Sequence, residues 1–130
     1  MISNCGTEIL ELQTRFGTTE HVTLSVSSYL DNKSLYVGMM TADDDIPEPY
    51  GSVTVNLSGS VPAYCAYIDV NNMPEAEGFL VENGIAEFTG MMQDSGLCTY
   101  PLDRFKPERM NGLCHDGMLE YEQENGLNQR

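Results

Sequence analysis

Val22-Thr23-Leu24-Ser25-Val26-Ser27 decides the fold of this chain. Apolar side chains alternate with hydroxyls at a period of two, so an extended strand here has one face fit for a core and one fit for water. Upstream, Leu10, Leu12 and Phe16 alternate with Glu11, Gln13 and Arg15, and the Gly17-Thr18-Thr19 turn between the two runs predicts an antiparallel pair. Downstream, Leu30 continues the apolar row and a turn at Asp31-Asn32-Lys33 leads into Leu35-Tyr36-Val37-Gly38-Met39-Met40. Beyond the acidic, proline-containing loop 43–49 comes Ser52-Val53-Thr54-Val55-Asn56-Leu57. The first half therefore reads as a four-stranded meander.

The second half mixes strand and helix. Tyr64-Cys65-Ala66-Tyr67-Ile68-Asp69 predicts a fifth, more buried strand. Asn71 or Asn72 then stands as a helix cap, with Pro74 in the first turn and Glu75 and Glu77 near the positive end of the helix dipole. Ala76, Phe79 and Leu80 share a face, Gly84 supplies a left-handed residue to end the helix, and Ile85 can fold back on its last turn. Glu87-Phe88-Thr89-Gly90-Met91-Met92 and Leu97-Cys98-Thr99-Tyr100 flank Asp94-Ser95-Gly96 as a hairpin, and residues 107–113 suit one or two helical turns. Past His115, the run with Glu120, Glu122 and Glu124 reads as a tail anchored only by Met118, Leu119 and Tyr121. The expected fold is α+β: a mainly antiparallel sheet of six or seven strands, one well-defined helix packed on it, and a short C-terminal helical segment. Residues 1–115 form the single domain of this reading, and residues 116–130 a poorly ordered polar tail.

Charge is the functional clue. The chain has 130 residues, 41% of them hydrophobic, which is enough for a core, yet its formal net charge is -14. Residues 34–103 hold eleven acidic side chains and no Lys, Arg or His. A field so one-sided excludes direct binding of nucleic acid and of anionic membranes, and favours a basic protein surface, such as that of a nuclease or another nucleic-acid-binding protein. The candidate partner-binding residues are Asp43, Asp44, Asp45 and Glu48 in the loop, with Glu75, Glu77 and Glu82 on the helix. Carboxylates spaced along strands about 6.6 Å apart can approximate the phosphate row that such proteins are built to grip.

Other chemistry is poorly represented. Asp43-Asp44-Asp45-Ile46-Pro47-Glu48 lacks the alternating ligands and turn glycine of a calcium loop. Cys98, Cys114 and His115, with Cys5 or Cys65, are zinc-ligand types without the close-spaced pair that zinc sites use. Cys98 with His21 or His115 has no local signature of a nucleophile and its base, and there is no phosphate loop, dinucleotide fingerprint or nucleophile elbow. The expectation is no catalytic residue, no metal and no cofactor. The start of the chain has no signal-like pattern and no stretch is apolar for a membrane span, so the cytoplasm is expected, with all four cysteines as thiols. Met39-Met40 and Met91-Met92 each place one side chain on each face of a strand. Either both faces are covered there, or the uncovered one is an interface for a homodimer or another partner.

Three runs carry a resemblance: Ile68-Asp69-Val70-Asn71-Asn72-Met73-Pro74, Phe79-Leu80-Val81-Glu82-Asn83-Gly84-Ile85-Ala86 and Ser95-Gly96-Leu97-Cys98-Thr99-Tyr100-Pro101-Leu102. They resemble a family of small uncharacterised proteins carried on conjugative and other mobile elements of gut Firmicutes. That family has no assigned activity and transfers no catalytic residue. The resemblance implies a genomic setting in which short acidic proteins act as inhibitors of host defence nucleases, of the anti-CRISPR or anti-restriction type. The leading expectation is thus a non-catalytic acidic protein that masks a basic nucleic-acid-binding surface. The alternative is a self-associating accessory protein of the element with no inhibitory role, and third comes a small metal- or cysteine-dependent enzyme.

Overall fold

The alternating run at residues 22–27 forms the middle of β2 (Thr19–Ser28) in the computed structural model, which describes Gly6 and residues 8–43, 45–57 and 59–127. Val22, Leu24 and Val26 are buried, while Thr23, Ser25 and Ser27 keep partial access to water. β2 pairs antiparallel with β1 (Leu10–Gln13) on one side and β3 (Leu35–Thr41) on the other, and β3 carries β4 (Pro49–Ser52) at its far edge. The first sheet is therefore the expected meander, with a different last strand.

The expected strand 52–57 is divided between two sheets. β5 (Thr54–Val55) leaves the first sheet and pairs with β6 (Cys65–Ile68), and the second sheet runs β5, β6, β8 (Cys98–Phe105), β7 (Ala86–Ser95). Val53 is the pivot. Its side chain is fully buried, its N–H donates to the Val37 carbonyl of β3 at 2.9 Å, and its carbonyl accepts from Asp69 N–H at 2.9 Å. The two backbone polar groups of this buried residue are thereby satisfied by β3 of the first sheet and by the residue that follows β6 of the second. Among the described residues, eight strands in two sheets replace the single sheet of six or seven, within the same α+β class.

Three helices complete the core. α1 (Ala76–Glu82) buries Ala76, Phe79 and Leu80, as their spacing predicts. Its C-terminus closes as expected: Gly84 has φ 65°, its N–H donates to Val81, and Ile85 N–H donates to Leu80. Both bonds satisfy carbonyls of the last turn. Its start differs. Asn71 and Asn72 do not cap it; Asp69 organises the turn before it, accepting from Asn72 N–H at 3.3 Å and Asn72 Nδ2 at 2.9 Å.

α2 (Pro107–Leu113) begins on its proline as expected. α3 (His115–Glu124) occupies the segment read as a tail. Met118 and Tyr121 are buried, and even Glu122 is enclosed, its Oε2 accepting from Tyr64 Oη at 2.8 Å. Gly117 allows α3 to lie directly on β2, because a Cβ there would collide with the carbonyl and Cβ of Val26. Phe16 and Leu30 fall in turns and are 76% and 92% exposed, outside the core their alternation suggested. Thr14 Oγ1 ends the first alternation by accepting from Phe16 and Thr18 N–H.

Gly117→Ala tests this contact. Overpacking against backbone should cost about 1–3 kcal/mol, read as a lower urea midpoint. Gly78→Ala is the control: an added Cβ there meets nothing within 4 Å, and the gain in helix propensity should leave stability equal or higher.

Candidate functional site

In an antiparallel meander the first and third connections lie at the same end. The β1–β2 turn at residues 14–18 and the β3–β4 loop at residues 42–48 accordingly share one end of the first sheet. That end gathers much of the acidic set. Glu11 sits opposite His21 across β1 and β2, and His21 Nδ1 lies 2.9 Å from Asp43 Oδ2, with Nε2 3.7 Å from Glu11. Asp45 and Glu48 are exposed in the loop, whose exit is pinned by Glu48 N–H donating to Thr41 Oγ1 and Thr41 N–H donating to the Glu48 carbonyl. Asp44 lies outside the described residues.

The start of α1 is tied to the same end. Arg15, in the β1–β2 turn, reaches Glu75 with Nη1 to Oε1 at 3.0 Å, while its own N–H donates to Glu75 Oε2. Arg15 also stacks on Phe16, 4.8 Å from the ring centre. Partial burial works to raise the Glu75 carboxyl, but its own N–H, the Arg15 N–H and the guanidinium outweigh it and hold the group below the usual carboxylate range. Tyr50, just inside β4, feels the charges of Glu20, Glu75 and Arg15. Glu82 lines a shallow recess with Gln13, the last residue of β1, and Glu75. The structure thus brings Asp43, Asp45, Glu48, Glu75 and Glu82 toward one end of the first sheet.

Glu77 points elsewhere. On β8, Asp103 shares the core-facing side with Phe105 and is fully buried opposite Ala66 and Phe88. Neither of its oxygens meets a protein donor, and its neighbour is the carboxyl of Glu77. Two carboxylates can share a hydrogen bond only if one holds a proton. Burial first, then the bond to Glu77 and its charge, push Asp103 up to about 8. Near neutral pH it is an acid group without charge. Sequence reading missed this pair; the available signal was an aspartate alternating with Phe105 in a strand pattern.

The remaining chemistry is sparse. Among the described residues no three His, Cys, Asp or Glu converge as a metal cage. Cys65 and Cys114 are buried, and burial pushes the Cys65 thiol up despite Arg104 nearby, which keeps it from acting as a thiolate; Cys5 lies outside the described residues. A cavity of about 700 Å³ is lined by Asp31, Asn32, Asn56 and Tyr121 among others, but two of its amides are bonded within the lining: Asn32 Nδ2 donates to Asn56 Oδ1 and Asn56 Nδ2 to Asp31 Oδ1. No described helix is long and apolar enough to cross a membrane.

Among the described residues these features define an α+β domain of two four-stranded antiparallel sheets and three helices, with an acid-rich end. Residues 23–125 match the model of a domain of unknown function, DUF4313, and the chain belongs to that family. It matches no curated protein and no solved structure.

Two titrations check the site. His21 should titrate above 6.5 by NMR, held up first by its hydrogen bond to Asp43 and then by that residue's charge, and Asp43→Asn should lower it. For Asp103 the folded pKa exceeds the unfolded one, so its stabilisation is complete below about pH 4 and is lost as pH rises toward 8, at about 1.4 kcal/mol per pH unit for one fully linked proton. Asp103→Asn, which donates to Glu77 at every pH, should therefore be the more stable protein at pH 8.5 and lose that advantage at pH 5. Parallel stability profiles for the two proteins would show that Asp103 titrates normally.

Proposed function

We propose that this protein is a non-catalytic acidic binding protein that docks its acid-rich end on a basic protein surface built to hold nucleic acid. One observation carries the reading: the described Lys and Arg ion pairs are Arg15 with Glu75, Lys33 with Glu124 and Arg109 with Glu8, and none reaches the exposed Asp43, Asp45 or Glu48. Among the described residues the one basic partner of these three is His21, on Asp43. Asp45 stands in the loop and Glu48 at its base, which is hydrogen-bonded to Thr41, so the Glu48 charge is presented from a fixed support. A fixed row of carboxylates attracts a cation-rich groove at long range and pays little ordering entropy on contact.

The resemblance of residues 68–74, 79–86 and 95–102 to mobile-element proteins supports an inhibitory setting, in which the occupied groove belongs to a host defence nuclease. Cytoplasmic action follows from that setting.

The test begins with affinity capture and continues on the captured partner. Association should slow about tenfold between 50 and 300 mM salt and by a similar factor in Asp45→Lys/Glu48→Lys. Duplex DNA or RNA should compete with the protein for the partner. Rates indifferent to both salt and charge reversal would overturn the reading.

A further inference from the structure

The hairpin of β7 and β8 reaches past the sheet that carries it. β6 pairs with β8 only at Leu102, Asp103 and Arg104, whereas β7 and β8 stay paired out to Ser95 and Cys98. The distal part is a two-stranded ribbon, tied at its base by Tyr67 Oη donating to Gln93 Oε1 at 2.9 Å. Two strands alone bury little, and a ribbon of this kind needs packing to be stable. Three of its large apolar side chains nonetheless face water: Met91 is 61% exposed, Met92 55%, and Leu97 at the tip is fully exposed, while Phe88, 50% exposed, stands at the base where β6 still pairs, and Tyr100 is buried. Phe88, opposite Asp103, and Met92, opposite Pro101, share one face.

The backbone of this edge is closed to strand addition at its centre. Gly90 has φ 92°, the pairing shifts between Phe88 and Met92, and Thr89 Oγ1 donates to the Leu102 carbonyl while accepting from Met91 N–H. Such a bulge turns an edge away from another strand. The ribbon therefore offers side chains rather than a hydrogen-bonding ladder. Methionine and phenylalanine adapt well to a groove.

Charge selects the occupant. Asp94 is exposed on the ribbon; Glu87 at its base stands across from the exposed Arg104, and from residue 88 to residue 103 the hairpin carries no Lys, Arg or His. A second copy would bring another acidic ribbon on a chain of formal charge -14. We propose that the distal β7–β8 ribbon is an apolar anchor that seats in a hydrophobic groove rimmed by Lys and Arg on a partner protein. This rests on the basic-partner reading above and assigns its non-polar contact.

The experiment is selection of a random displayed peptide library on the full chain, followed by affinity measurement with one synthetic selected peptide. Selected peptides should combine Lys or Arg with large apolar residues. Met91→Ser/Met92→Ser should weaken the peptide at least about tenfold and Leu97→Ser several-fold, with thermal midpoints near wild type; Leu97→Ser serves alone if the double variant fails to fold. Basic peptides whose binding ignores every ribbon variant would overturn the anchor and leave the basic-partner reading standing. Peptides without basic enrichment would overturn both. Sedimentation showing a dimer that Met91→Ser/Met92→Ser dissociates would also overturn the anchor, by assigning the ribbon to a second copy.

Discussion

Everything in this fold depends on one buried peptide. Val53 hands its N–H to β3 and its carbonyl to the turn after β6, so a single residue fixes the position of one sheet against the other. Thr54 extends the link: its Oγ1 accepts from Val37 N–H at 3.2 Å and meets Tyr29 Oη at 3.0 Å. Because these groups are withdrawn from water, an unmade bond here would leave a polar group stranded in the core. The two sheets can then share one apolar interior, in which Leu24 and Val37 of the first sheet join Ala66 and Phe105 of the second.

Local patterns were legible where one element satisfies itself. The alternation of β2, the left-handed close of α1 at Gly84 and the proline start of α2 are all decided within a few residues, and each is found in place. What sequence could not reveal is decided at a distance. Val53-Thr54-Val55 continues the pattern of Ser52 without a break, so nothing local marks the change of sheet. α3 looks polar because its buried side rests on Gly117, Met118, Tyr121 and a glutamate whose charge is met by Tyr64, 58 residues away. A glycine in a helix reads as weakness until the strand beneath it is known.

The acidic site shows the same division. The loop acids and the helix acids were visible as residues, and the shared end of a meander was implicit in the strand count. Two facts changed their meaning. Arg15, in a turn, reaches Glu75 across 60 residues and converts a helix-start acid into a strut between α1 and the first sheet. Glu77, two residues on and half-buried, neighbours the buried Asp103. Helical geometry separates residues two apart by more than half a turn, so Glu75 and Glu77 could not both serve one surface.

That separation explains how so acidic a chain remains folded while keeping an outward field. Three of its six Lys and Arg side chains serve as joints: Arg15 binds α1 to the β1–β2 turn, Arg109 Nε braces the Asn83 carbonyl at the end of α1 while its guanidinium holds Glu8, and Lys33 meets Glu124 at the end of α3. Inside, Asp103 escapes the charge problem by keeping its proton. Had the same cations been placed among the exposed acids at residues 43–48, they would have neutralised the field at little gain, since exposed pairs are worth under about 1 kcal/mol. Where they stand, they fix connections between elements that apolar packing alone would leave free to slide, and they leave Asp45 and Glu48 exposed outside any described ion pair.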